Sequence, residues 1–413
     1  MTSRAPLVVI GGGQAAASMI LKLRSLGDER SIVLFSDEQH APYQRPNLSK
    51  KYLRGELELS DLMVRPSEWY PAHAVELKLG QRVKAIERAE KRIRLADGST
   101  QDYSDLVLAT GGEPRRLPAA IGGELSGVYT LRDVADADKL APLFTAGRRL
   151  TIIGGGYIGL EAAAVGAQLG LEVTLVEMAE RILQRVAAPE TSDYFRVLHQ
   201  GHGVRILEST QLICMTGDAG RVSQVELSQA GHPETETLAA DFVIVGAGIN
   251  PRSELAEAAG LEVNGGIVVD AACRSSDPSI LAAGDCASFI WNGQRTRLES
   301  VQNATDQGEA VASTLAGHET DYQPVPWFWS DQYDVKLQIA GLNRGYSDSV
   351  IRPGTRDQAI SVWYYKDERL LAVDAMNDAR SFMTAKRLLQ KGISPTRNLV
   401  ADPQSDLKAL LQA

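Results

Sequence analysis

The chain is predicted to be an α/β protein, with two Rossmann-like domains followed by a C-terminal α+β domain. Three observations carry that expectation. A short apolar run enters a glycine-rich turn, a helix-like stretch follows, and a second apolar run ends in an acidic residue. This layout occurs twice, with the turns beginning at Gly11 and at Gly154. Glycine is abundant, 37 of 413 residues, without collagen's every-third-residue period, as many tight strand-to-helix turns require. Beyond Pro324–Trp329 the glycine punctuation thins and alternating strands take over.

Taken in order, Ala5–Ile10 reads as the first strand, Gln14–Leu26 as a helix, and Ser31–Phe35 as a strand ending at Asp37-Glu38. Asp105–Thr110 is a strand before Gly111-Gly112, and Glu113–Ala120, rich in Pro and Arg, reads as a linker. Leu150–Ile153 then runs into Gly154-Gly155-Gly156-Tyr157-Ile158-Gly159. A helix to about Leu169 and the strand Glu172–Val176, ending at Glu177, complete the second copy. Asp241–Val245 precedes Gly246-Ala247-Gly248, and Ile280–Ala283 precedes Gly284-Asp285. In the last part, Ile360–Tyr365 and Leu370–Met376 read as strands and Ala379–Gln390 as a helix. The expected domains are 1–112 with 246–324, then 113–245, then 325–413.

Composition removes several function classes. The net charge of −9 argues against a general nucleic-acid binder, whose affinity rests on a basic surface. Cys214, Cys273 and Cys286 form no CxxC, so a disulfide framework, a zinc site and a CxxC redox pair are not expected. The six histidines form no ligand motif, although His199 and His202 share a helix face, and no metal is expected. No apolar run reaches the roughly 18 residues of a membrane span, and no signal-peptide pattern opens the chain. No membrane association and a cytoplasmic location are therefore expected.

The chemistry lies in the two turns. In Gly11-x-Gly13-x-x-Ala16, Gly11 permits the tight turn and Gly13 lets a pyrophosphate approach the backbone. Small Ala16 lets helix and strand pack, and the helix N-terminus offers free N–H groups to phosphates. Asp37 lies where an acidic group accepts ribose hydroxyls. Gly154-x-Gly156-x-x-Gly159 with Glu177 is the stronger copy. A carboxylate there repels a 2′-phosphate, and the first following arginine is Arg181, so NADH is favoured over NADPH. A glycine-rich turn that binds nothing is the plain alternative for either copy.

Five further runs make the chain resemble a known family. They are Pro42-Tyr43-Gln44-Arg45-Pro46-Asn47-Leu48-Ser49-Lys50, Ala109-Thr110-Gly111-Gly112, Leu281-Ala282-Ala283-Gly284-Asp285, Glu299-Ser300-Val301-Gln302-Asn303 and Pro326-Trp327-Phe328-Trp329-Ser330-Asp331. Together with the turns they resemble the FAD-dependent NADH:ferredoxin reductases of bacterial oxygenase systems, a branch of the glutathione-reductase-like flavoproteins. Asn47 stands where that family usually has a second proline, whereas Ala16 in place of glycine is common in that family.

The resemblance implies FAD on the first unit and NAD on the second. It implies FAD contacts from Ala15, Asp37, Glu38, Arg45, Val83, Thr110, Gly111, Arg132, Gly284, Asp285 and Val301. It implies nicotinamide-nucleotide contacts from Tyr157, Ile158, Arg185 and Gly248. Lys50 and Glu161 would form a buried pair beside flavin N5, Tyr157 would flank the nicotinamide, and Trp329 would cover the flavin edge. The implied activity passes electrons from NADH through FAD to a [2Fe–2S] ferredoxin serving a haem monooxygenase or Rieske-type oxygenase. A rubredoxin acceptor is the same-class alternative. A slow-turnover, redox-sensing NADH-binding flavoprotein is the different-class one. No cysteine occurs in Tyr43–Arg54, where disulfide reductases of the superfamily carry a redox-active pair, so electrons should leave the flavin directly. For Lys50 and Glu161 the residue-level alternative is a solvated lysine and a helix-surface glutamate. For Trp329 it is a core tryptophan.

Overall fold

Short runs of Val, Ile and Leu that are apolar at every position, not at alternate ones, make strands buried on both faces. The computed structural model, which describes residues 5–412, uses them twice. It divides into two units.

The first unit takes the chain up to Gln44, Leu59–Glu113 and Ile249–Pro324. Its main sheet is parallel, in the order Ile280–Ala282, Leu106–Leu108, Leu7–Ile10, Ile32–Phe35, Val75–Lys78. The helix Gln14–Ser25 follows the central strand and packs on the helix Val301–Leu315. Small residues set that packing: a Cβ on Gly308 would come within 2.4 Å of the Ala15 carbonyl oxygen.

The second unit takes Arg45–Glu58, Pro114–Gly248 and the chain from Val325 on. Its parallel sheet runs Arg205–Leu207, Glu172–Val176, Arg149–Ile153, Phe242–Val245, Val128–Tyr129. An antiparallel sheet follows from the C-terminal segment, in the order Trp327–Gln332, Val335–Gly341, Arg369–Met376, Ile360–Lys366, Asp348–Pro353. One hydrophobic core joins the two sheets: Leu160, Phe195 and Ile244 pack in a single cluster with Val335, Leu337, Tyr364 and Met376. The helix Ala379–Gln390 contributes Phe382, Ala385 and Leu388 to the buried set, and its N-terminus is capped by Asp378 through the Ser381 N–H.

The fold class expected from the sequence is the one observed. The two glycine-turn helices stop at Ser25 and Gln168, one residue short of the expected ends, because Gly27 and Gly170 adopt left-handed φ of 80° and 78°. The stretch read as a linker starts instead as a short strand, Gly112–Pro114, paired with Ile249–Pro251. Its Pro and Arg content hid one short strand pair. No helix among the described residues is long and apolar enough to cross a membrane.

Candidate active site

The two glycine turns are built alike. Gly11 has φ of 112° and Gly154 of 113°, values that side chains rarely tolerate. The N–H of each donates over 2.8 Å to the last residue of the neighbouring strand, Phe35 for Gly11 and Val176 for Gly154. A Cβ would lie 2.1 Å from the Ala109 oxygen at Gly11 and 2.5 Å from the Gly246 oxygen at Gly154. The turns therefore exist because glycine lets one chain pass directly over another.

Each turn then opens a helix whose N-terminal residue, Gly13 or Gly156, makes no side-chain cap. A Cβ on either would meet nothing within 4 Å. Uncapped N–H groups facing open space are the donor set a diphosphate needs. The residues present thus fit a dinucleotide on each unit.

In the first unit, Ala15 and Ala16 are buried in the helix, and Gly284, with φ of 83°, brings the Gly284–Asp285 turn against them: a Cβ there would sit 3.2 Å from that of Ala15. Gln307, fully buried, holds the turn by accepting the Gly284 N–H at 2.8 Å. Asp37 is exposed and pairs with Arg252 at 3.2 Å, while Glu38 accepts from the buried Tyr43 hydroxyl. The Thr110 hydroxyl donates to the Arg252 carbonyl at 2.6 Å, and Gly111 has a left-handed φ of 68°. Val83 is buried in a hairpin strand opposite Leu95. Asp285 is half-buried, and Val301 opens its helix behind the Ser300 cap.

In the second unit, Glu177 receives two backbone donors, Gly155 N–H at 2.7 Å and Ala179 N–H at 2.8 Å. The carboxylate so braces the glycine turn, and its remaining lone pairs stay available to ribose hydroxyls. A Cβ on Gly159 would lie 2.1 Å from the Gly154 oxygen, which explains the third glycine. Ile158 is exposed, and the Arg185 guanidinium lies 3.7 Å from a Cβ built on Gly248. Arg45 donates to the Arg132 carbonyl at 3.3 Å.

Also in the second unit, Lys50 and Glu161 meet at 2.7 Å, with side chains 14% and 3% exposed, so the pair is neither a solvated lysine nor a helix-surface glutamate. Lys50 Nζ also donates to the Pro46 carbonyl at 3.1 Å. Glu161 Oε2 accepts in addition from Ser49 at 2.6 Å, and Oε1 from Ser330 at 2.7 Å. A buried carboxylate needs such saturation: three donors, one of them the cationic Lys50, replace the water it has lost. Tyr157 packs on Phe328 with ring centroids 4.7 Å apart. Its phenol is pushed well above its ordinary pKa by burial and, secondarily, by the Asp374 carboxyl.

Trp329 is half-buried and packs, tilted, against Trp327 with ring centroids 5.6 Å apart, and Lys386 lies over Trp327. Strand alternation turns it away from the face that carries Phe328, Ser330 and Gln332. The structure thus gathers Lys50 and Glu161 and leaves Trp329 outside that group. Ser49 and Ser330 complete the group, although sequence reasoning had not singled them out. Both lie inside runs it quoted, but nothing in the spacing shows that they converge on Glu161. Among the described residues no group of acidic, His and Cys side chains could hold a metal ion.

Comparison with known proteins agrees with this geometry. Residues 5–308 match the pyridine nucleotide-disulphide oxidoreductase family, and residues 327–411 match the reductase C-terminal domain. A ferredoxin–NAD(P)+ reductase from Sphingomonas sp. is 40% identical, covering 97% of this chain and 96% of its own length. Putidaredoxin reductase from Pseudomonas putida is 39% identical, covering 100% of this chain and 98% of its own length. The reductase fold solved in the covalent putidaredoxin reductase–putidaredoxin complex superposes with a TM-score of 0.94 at 37% identity, with both chains covered completely. The chain with its two glycine turns therefore belongs to the pyridine nucleotide-disulphide oxidoreductase family, among the ferredoxin–NAD(P)+ reductases, oxidoreductases that use FAD and a nicotinamide nucleotide.

Proposed function

We propose that this protein carries electrons from NADH through FAD to a small [2Fe–2S] ferredoxin, which in turn supplies a haem monooxygenase or Rieske-type oxygenase. FAD belongs to the discontinuous domain 1–112 with 246–324, NADH to 113–245, and the segment 325–413 is a third, α+β domain. FAD, when bound, supplies the chemistry of taking a hydride from the nicotinamide and giving electrons up singly. The chain supplies binding, orientation and charge.

The uncapped helix at Gly13 holds the FAD diphosphate, helped by Arg45 and Arg132, and Asp37 or Glu38 holds its ribose. The uncapped helix at Gly156 holds the NADH diphosphate, Glu177 its adenosine ribose, and Tyr157 flanks the nicotinamide. Lys50 presents its ammonium to the flavin. Glu161 holds that ammonium in place through the 2.7 Å ion pair and balances its charge away from water.

The observation that carries the direction of electron flow is the Lys50 neighbourhood itself. It holds a saturated cation–carboxylate pair and no thiol, the three cysteines of the chain being at 214, 273 and 286. Electrons have no disulfide to visit and pass to an external acceptor. A cytoplasmic location agrees with unpaired cysteines and with NADH as donor.

The test is steady-state reduction of purified [2Fe–2S] ferredoxins and rubredoxins by NADH, with kcat/KM for each. A [2Fe–2S] ferredoxin preferred by an order of magnitude or more supports the reading. A rubredoxin preference replaces the acceptor. Slow turnover with every acceptor, alongside a long-lived reduced flavin–NAD+ complex, overturns it in favour of a redox sensor.

A further inference from the structure

Glu161 stands at the end of a hydrogen-bonded chain whose direction chemistry fixes. An ionised carboxylate only accepts, so the single Ser330 hydroxyl hydrogen is committed to Glu161 Oε1, 2.7 Å away. Whatever else meets Ser330 Oγ must donate. The Gln332 amide nitrogen does so, at 3.2 Å. That orientation turns the Gln332 oxygen toward His199 Nε2, at 2.8 Å. An amide oxygen only accepts, so Nε2 carries the ring hydrogen.

Burial holds His199 neutral, with its pKa lowered to about 4 against a weaker opposing effect of Gln332. Nδ1 is then a lone pair, and the Tyr333 hydroxyl donates to it over 3.1 Å. Ser330, Gln332 and His199 are each fully buried, so no water competes at these links. Tyr333 has a left-handed φ of 56° and stacks on His202 at 3.7 Å. It also lines, with Lys50 and Glu161, a cleft of about 270 Å³.

From this geometry we propose that Ser330, Gln332 and His199 are positioning residues for the reaction. They form a one-way hydrogen-bond chain that holds the Glu161 carboxylate turned toward Lys50. The inference rests on the reading that Lys50 serves the flavin. A core of merely satisfied polar groups would need no particular polarity. This chain has one, set by the charge at its far end, and the His199 tautomer reports it.

The test uses holoenzyme with 15N-labelled histidine rings and long-range 1H–15N spectra, the His199 signals being assigned by their loss in His199→Gln. The wild type shows the hydrogen on Nε2. In Glu161→Gln the amide oxygen stays with Lys50 and Ser49, and the amide nitrogen turns to Ser330. Every link then reverses, and the His199 hydrogen moves to Nδ1. Ser330→Ala frees the tautomer to a mixture and Ser330→Thr restores Nε2–H.

In anaerobic stopped-flow, Ser330→Ala lowers the limiting rate of FAD reduction by NADH about tenfold, the loss of one hydrogen bond to a charged group, without raising KM. Ser330→Thr recovers that rate. A His199 spectrum identical in wild type and Glu161→Gln overturns the inference, and isosteric Glu161→Gln carries the test should Ser330→Ala not fold. A Lys50→Met variant reduced at the wild-type rate overturns instead the reading of Lys50, which the tautomer measurement does not depend on.

Discussion

At the scale of single residues, the site is a problem of keeping two charges out of water. The cost of burying Lys50 and Glu161 is offset only because every oxygen of Glu161 is met by a donor and the ammonium is met by a carboxylate and a carbonyl. Removing either partner strands the other. Lys50→Met should therefore slow reduction of FAD by NADH much more than it slows transfer to ferredoxin, measured in separate anaerobic half-reactions. Equal slowing of both would assign Lys50 to general structure.

Glu177 serves the second turn in two ways, bracing Gly155 and meeting ribose. Glu177→Arg should lower kcat/KM for NADH by the equivalent of about 1.5–3 kcal/mol, the worth of hydrogen bonds to a charged group, and raise it for NADPH. Unchanged constants for both nucleotides would contradict the assignment. Glu177 was legible from spacing alone, since the strand-end acid follows its glycines in one continuous unit. Lys50 and Glu161 were legible only through the resemblance, because their partnership is long-range and leaves no local pattern.

At the scale of elements, the glycine turns were the most readable part, each being specified by residues within a single strand–turn–helix unit. The strand Trp327–Gln332 was readable as a boundary but not as a contributor to the Lys50–Glu161 site. Its aromatic residues drew attention, while the inward residues that matter, Ser330 and Gln332, look polar and therefore exposed. His199 drew only the question of a metal, which its pairing with His202 did not support, and its real place, fully buried against Gln332, leaves no local pattern.

Asp374, on the strand Arg369–Met376, is another buried polar group of the second unit. It accepts from Thr191 and from Tyr364, whose hydroxyl also receives the Ala188 N–H. Burial raises its pKa to about 7, against the opposing effect of those two hydroxyls, from an ordinary 3.8. Between those values the unfolded chain has lost a proton that the folded chain keeps. Stability therefore falls as pH rises through the window, by at most about 1.4 kcal/mol per unit, and this contribution is flat on either side. Asp374→Asn removes that slope, so its Tm relative to wild type should improve from pH 5 to pH 8. Parallel Tm profiles for the two proteins would refute the assignment.

At the scale of the whole molecule, the chain is acidic overall, with a net charge of −9, which would repel a ferredoxin of acidic surface. Docking then needs local cations. Exposed Arg344 and half-buried Lys386 could supply them, whereas Arg297 is occupied by Glu299 at 2.6 Å and by the Asp285 carbonyl. The rate with ferredoxin should fall with added salt while that with a small uncharged acceptor holds level, since only the first association is steered by charge. A salt-independent ferredoxin rate would remove electrostatic docking.

On the proposed route electrons pass from NADH to the flavin and out, with no protein thiol between. Anaerobic titration of the purified holoenzyme with NADH tests it most directly, because each electron store in the protein adds to the count. One NADH per FAD should complete the reduction, and adding oxidised [2Fe–2S] ferredoxin should then return the flavin to its oxidised spectrum. Uptake of two NADH per FAD, with the second equivalent appearing as new thiol groups, would contradict it.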